Sequence, residues 1–542
     1  MRTAITEPST AVSRCGGYLA VGIAAIVGCG DAAGPAANRS AHRSAVVAES
    51  VRDTLLDGAI TVLGRLDDYD EASAFAQVFD RLNQWSHGGR SSADESPWEA
   101  DALLATLPER LRDATPSAVL AGDAFDAMVD VPFLRDQRWL ADICRTARGD
   151  AVDDLAIAEN LFRWTVRSLA IVTDPPMVPT ASMEGSRWFL PGEILLSGRA
   201  SAAQRSWIFL HLLRHAGLEG VMLATGEVGA EGTRPWIPAV ITGGEAYLFE
   251  PTYGLPIPGP GGKGVATARQ AAADPTILRA LSLSDRPYPI QAADMGNLSV
   301  LVAADPPMLS RRMRRVEERL AGANAISVSV DASALAARGL AAIPSASGPR
   351  SGLWEFPWET AIRRRTPAVQ AAVAAELAVM GIALEQSAGD GRIRRGRILR
   401  PLYAGRVREF RGDFDGPEGA KAAYLAARPT NAAIAAATAP LAPQQADASK
   451  RLYEQMKEDG TYWLGVLTLA EGDVEAAVDY LERMLLKAAP DSRWTDAARV
   501  ALAEAFEALG KTPEAVRLLE SDTSPQRFGS RLRAARLAAS GQ

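Results

Sequence analysis

One stretch, residues 198–254, limits what this chain can fold into more than any other. Within it Trp207, Ile208, Leu210, Leu212 and Leu213 space apolar side chains around a helix buried on most sides, and Gly217 supplies its stop. The pattern predicts a helix over 202–215. Gly220 to Ala224 then reads as a strand, Trp236 to Ile241 as a second and Ala246 to Glu250 as a third. Gly243-Gly244 is the hairpin turn between the last two, and Pro251 closes the run. A helix followed by three consecutive strands predicts an α+β fold, with the helix packed on an antiparallel sheet.

This order, with LLRHAGLE ending the helix and FEPT ending the last strand, resembles the core of the transglutaminase-like (papain-related) superfamily. The resemblance implies a Cys at the helix start, a His at the start of the second strand in an H-A-W pattern and an Asp at the end of the third in a D-P-T pattern. The thiolate attacks a carbonyl, the imidazole carries the proton and the carboxylate orients the ring. Matched residue by residue, Ala202, fifteen residues before Gly217, stands for the Cys. Arg234, in Arg234-Pro235-Trp236, stands for the His, and Glu250, in Glu250-Pro251-Thr252, for the Asp. Ala carries no nucleophile and Arg stays protonated, so the resemblance implies a catalytically dead core in which Arg234 and Glu250 pair as ions.

Two enzyme readings stand beside it. A one-residue shift brings Ser201 to the nucleophile position of a peptidase or acyl-transferase. That reading lacks a base, because the chain holds only His42, His87, His211 and His215. His211 and His215, four apart on one helix face, have the spacing of a zinc pair and suggest a metal-dependent hydrolase, although Glu219 lies past Gly217 and no third ligand is evident. No cofactor is implied. The Pro/Gly run from Tyr253 to Gly264 lacks the strand-loop-helix context and the Gly-Lys-Ser/Thr ending of a phosphate loop.

Arg2 and Arg14 precede an apolar run from Tyr18 to Gly28, too short to span a bilayer as a mature helix. It ends Ile26-Val27-Gly28-Cys29, which resembles a lipobox. The expectation is a signal peptide over 1–29, a lipid on Cys29 that anchors an exported protein to the membrane on the periplasmic or envelope face, and a tether over 30–45. A secretory signal cut near Ala33 and an uncleaved anchor are the alternatives. Of the three cysteines, Cys15 falls in the leader and Cys29 takes the lipid, so Cys144 is left without a disulfide partner; its helical apolar spacing predicts a buried, inert thiol. A net charge of −7 gives no electrostatic footprint for nucleic acid.

Around the core, residues 46–150 read as a helical domain with helices at 72–85 and 100–111, and 151–300 as the transglutaminase-like domain, opened by a helix over 155–169. Residues 301–445 read as mixed: a helix at 309–320, a strand at 326–331, a helix at 332–340, an extended aromatic cluster of Trp354, Phe356, Pro357 and Trp358, a helix at 368–384, and an extended segment within 402–415. In the last part, 446–542, Gly465, Gly472-Asp473, Ala477 and Leu481 recur as Ala503, Gly510-Lys511, Ala515 and Leu519, an offset of 38 residues. This resembles the tetratricopeptide repeat, which implies paired antiparallel helices that dock a protein partner. Together these readings describe a lipid-anchored, extracytoplasmic scaffold or binding protein.

Overall fold

Helix and sheet follow the periodicities of the chain through residues 53–87, 98–173, 187–229, 233–344, 350–387 and 393–540, which the computed structural model describes. The leader, Cys29 and the tether lie outside these residues. In the first part, α1 (Glu71–His87) and α2 (Asp130–Ala147) are amphipathic, and Pro108 breaks the helix expected over 100–111 into a 3-10 segment, Ala102–Thr106, and a short helix, Glu109–Ala114. Next come α3 (Asp154–Ser168), α4 (Pro191–Ser197) and α5 (Ala202–His215), the last at the predicted bounds. Burial from Gln204 to Leu213 follows from an apolar pattern that leaves α5 no wet face.

The strands are β1 (Glu219–Thr225), β2 (Arg234–Thr242), β3 (Glu245–Glu250), β4 (Leu255–Pro256) and β5 (Leu298–Val302); after α6 (Ala332–Ala342) comes β6 (Ser351–Leu353). They form one sheet in the order β4-β3-β2-β1-β5-β6, antiparallel except for the β5–β6 pair. Gly243 and Gly244, with φ of +59° and +77°, make the two-residue hairpin turn. The fold is α+β, and its sheet is covered on both faces. Met222, Ala224, Val240 and Phe249 face α5 and its neighbours, while Val221, Leu223, Ala239, Ala246 and Leu248 share a second cluster with α6. On the α5 face, Phe249 meets Phe162 of α3 and Phe209 of α5 with ring centroids 5.1 Å from each.

Three expectations for the following region are corrected. Residues 326–331 join no sheet, because the Val328 and Ser329 amides donate to the Glu317 carboxylate (2.8 and 2.6 Å) instead of to a neighbouring strand. The aromatic cluster is helical over Glu355–Arg363, with Trp354 stacked on Phe356 just before it. The segment read as extended is α7 (Pro401–Arg411), a buried helix whose Arg406 donates to the Leu195 carbonyl and lies 3.7 Å from the Trp463 ring centre.

The chain ends with α8 (Pro443–Ala470), α9 (Thr495–Ala508), α10 (Thr512–Glu520) and α11 (Arg527–Ser540). The 38-residue offset is visible as geometry: Gly472 and Gly510 both end a helix with positive φ, at +85° and +70°, and Ala477 and Ala515 are both fully buried. These helices pack on the core. Gly198 ends α4 at φ +62°, and a Cβ there would stand 2.1 Å from the Trp463 ring of α8. Gly198→Ala therefore combines left-handed strain with overpacking and is expected to destabilise the protein by about 2–4 kcal/mol in urea denaturation. An unchanged midpoint would show that α8 does not rest on Gly198.

Candidate functional site

The start of α5 is where the resemblance places a nucleophile. Ser201 is the N-cap there: its hydroxyl accepts from the Gln204 amide (3.2 Å), and its own amide donates to Gln204 Oε1 (3.0 Å). Both residues are fully buried. Ala202 follows as the first helical residue. The Ser201 hydroxyl thus does the work of a cap, and of the three described imidazoles His87 and His215 hydrogen-bond to other residues. His87 sits on the Asn83 carbonyl of its own helix.

His215 accepts from the Ser327 amide at Nδ1 (3.3 Å), so Nε2 carries the proton and donates to Gln137 Oε1 (3.1 Å). Burial, reinforced by His211 and Arg214, pushes its pKa well below the usual histidine value, which keeps the ring neutral with both nitrogens used. His211, fully buried, stands 3.3 Å from the Asp305 carboxylate without hydrogen-bond alignment; the same carboxylate accepts from Trp207 Nε1 (2.9 Å). Among the described residues no group of three His, Cys, Asp or Glu side chains is placed to hold a metal ion. Cys144 is buried as expected, its thiol pushed up to about 11 by desolvation.

The expected pair of Arg234 and Glu250 does not form. Arg234 begins β2 exposed, and the β2–β3 register, Ala239 opposite Leu248, sets Ile237 beside Glu250, three residues inside the strand from Arg234. Alternation along β3 decides the rest: Phe249 faces α5, so Glu250 points to the far face. There its carboxylate accepts from the Thr252 amide (2.9 Å) and from the Tyr288 hydroxyl, which in turn accepts from Trp236 Nε1 (2.9 Å). Neither residue addresses the start of α5.

What does address it is Arg205, one turn into α5 and 2% exposed. Nε donates to the Leu169 carbonyl (2.9 Å), Nη2 to Leu169 and Val166 (2.6 and 3.2 Å), and Nη1 to the Pro251 carbonyl and to Gln526 Oε1 (2.9 and 2.7 Å). All five donors are satisfied without a carboxylate. Desolvation lowers the pKa to about 9, so the group is still protonated at neutral pH. The sequence reading missed this residue. Its signal was an Arg on a helix with no wet face, which obliges the fold to supply partners.

In front of Arg205 lies a cavity of about 690 Å³, walled by α3, the Tyr253–Pro256 turn, α9 and α11. The C-terminal helices close this side: a Cβ on Gly529 would stand 1.9 Å from the Tyr253 carbonyl oxygen, and one on Gly254 2.8 Å from Gln526. Comparisons with protein-family models, curated proteins and solved structures returned no match.

Two outcomes follow from this geometry. Arg205→Met removes five donors and strands the acceptors they served, and is expected to cost about 3–5 kcal/mol in chemical denaturation; a loss under about 1 kcal/mol would show that water replaces the guanidinium. Burial raises the Glu250 pKa above the 4.5 of a free glutamate, against the lowering effect of its hydrogen bonds from Tyr288 and Thr252. The folded state therefore holds a proton that the unfolded state releases. This contribution is complete below pH 4.5 and is lost as pH rises through the folded value. Urea midpoints measured across this range are expected to fall more steeply with pH in the wild type than in Glu250→Gln; equal slopes would place the carboxylate in contact with water.

Proposed function

We propose that this chain is a non-catalytic, exported, lipid-anchored binding or scaffold protein, built on a transglutaminase-like core with two tetratricopeptide-like helix pairs at its C-terminal end. One observation carries the reading: at the helix start, where the resemblance puts a nucleophile, Ala202 has none and Ser201 is buried and committed to capping. Supporting it, Glu250 lies on the far face of the sheet from α5 and Arg234 is exposed, so no base and orienting acid converge on that point. Anchoring through Cys29 rests on the lipobox-like leader, and a protein partner on the repeats' exposed faces rests on the 38-residue pattern. The cavity beside Arg205 is the ligand site of this reading.

The alternative is acyl chemistry at Ser201. Treatment of the full chain with a fluorophosphonate acylating probe, followed by intact-mass analysis, is expected to give no adduct. A stoichiometric adduct that maps to Ser201 and disappears in Ser201→Ala would overturn the non-catalytic reading.

A further inference from the structure

The cavity at the start of α5 has an unbalanced charge. Seven arginines and three carboxylates line it. Arg199 and Arg493 are neutralised from behind by Glu376, 3.1 and 3.5 Å away, with Asp459 also on Arg493, and Arg533 by Glu507 at 2.8 Å. Of the carboxylates, Asp496 is taken by Arg499 and Thr523. The remaining charged groups of the wall are Glu159, Glu504 and the other arginines. Two of these stand out. Arg205 is buried and bonded only to neutral oxygens, while Arg167, half-buried at the C-terminal end of α3, has an Nε shielded from solvent that makes no hydrogen bond among the described residues.

A guanidinium withdrawn from water without a counter-charge is costly, and an unsatisfied N–H beside it adds to the cost. The wall offers apolar surface as well, from Ile171, Val172, Leu255 and Val500, and the volume lies within the range of small-molecule sites. We propose that this cavity binds a small organic anion, its carboxylate or phosphate group seated on Arg167 within the field of Arg205 and its apolar part against the aliphatic wall. The proposal deepens the binding reading above and rests on it, by naming the chemical class of the ligand. Arg167 makes the direct contact; Arg205, with every donor occupied, contributes charge alone.

The test is calorimetric titration of the full chain at constant ionic strength with phenyl phosphate, with benzoate and with neutral benzamide. At least one anion is expected to bind saturably with a roughly millimolar or tighter Kd, and benzamide not to bind. Binding of phenyl phosphate alone assigns a phosphate monoester, and of benzoate alone a carboxylate. Arg167→Gln is expected to weaken the anion about tenfold or more, because a charge-assisted hydrogen bond is lost. Val500→Trp fills the cavity from α9 without changing its charge and is expected to abolish binding; circular dichroism and the urea midpoint verify that each variant is folded. No saturable binding of either anion, benzamide bound as tightly, or unchanged affinity in either folded variant overturns the proposal. Hydrolysis of a phenyl ester by the same protein would instead sink the non-catalytic reading and leave the anion site in place.

Discussion

The guanidinium of Arg205 is the interaction on which the middle of this protein depends. It is a full charge in the interior with no ionic partner, and it is tolerable because its oxygens come from well-chosen places. Val166 and Leu169 present carbonyls at the C-terminal end of α3, where the helix dipole is negative, so neutral groups supply part of a counter-charge. Pro251 presents the carbonyl of the turn that leaves β3, and Gln526 an amide from the C-terminal helices. One side chain thereby fixes the end of α3, the start of α5, the exit of the hairpin and the roof of the cavity. None of these contacts survives a shift of α5 by a residue.

The same region explains why a resemblance of pattern can part from a resemblance of chemistry. A nucleophilic centre needs an accessible atom with a proton acceptor beside it. Here the corresponding space is filled by a cap, Ser201 with Gln204, whose amide also holds the Arg187 carbonyl at 2.7 Å. Glu250, at the end of β3, belongs to a Trp236–Tyr288–Glu250 chain that stitches the opposite face of the sheet to the loop beyond it. The polar residues at the start of α5 and at the end of β3 are thus engaged in structural hydrogen bonds.

Much of the core was legible in the sequence. The bounds of α5 and the order of β1 to β3 follow from strict periodicity punctuated by Gly217 and Gly243-Gly244. What was not legible depends on partners far along the chain. Arg234 and Glu250 looked adjacent because strand ends were matched by motif, but the register along β2 shifts by one where it pairs with β1 and the face of Glu250 is set by its neighbour Phe249. α7 was hidden because Arg406 and Arg408 interrupt its apolar spacing; their partners, the Leu195 carbonyl and Asp67, lie hundreds of residues away. Residues 326–331 alternate as a strand does, yet a single carboxylate, Glu317, takes the amides that a sheet would have needed.

The bond between Arg205 and Gln526 spans 321 residues. Closing a loop of that length carries an entropic cost before any contact rewards it, so the bond belongs among the late events of folding, after the helix and hairpin around Arg205 have formed from local sequence. Until then the guanidinium has one face unclaimed and the cavity has no roof. The cavity is enclosed only when the C-terminal helices have docked on the middle of the chain, which makes its presence a report on the completeness of the fold.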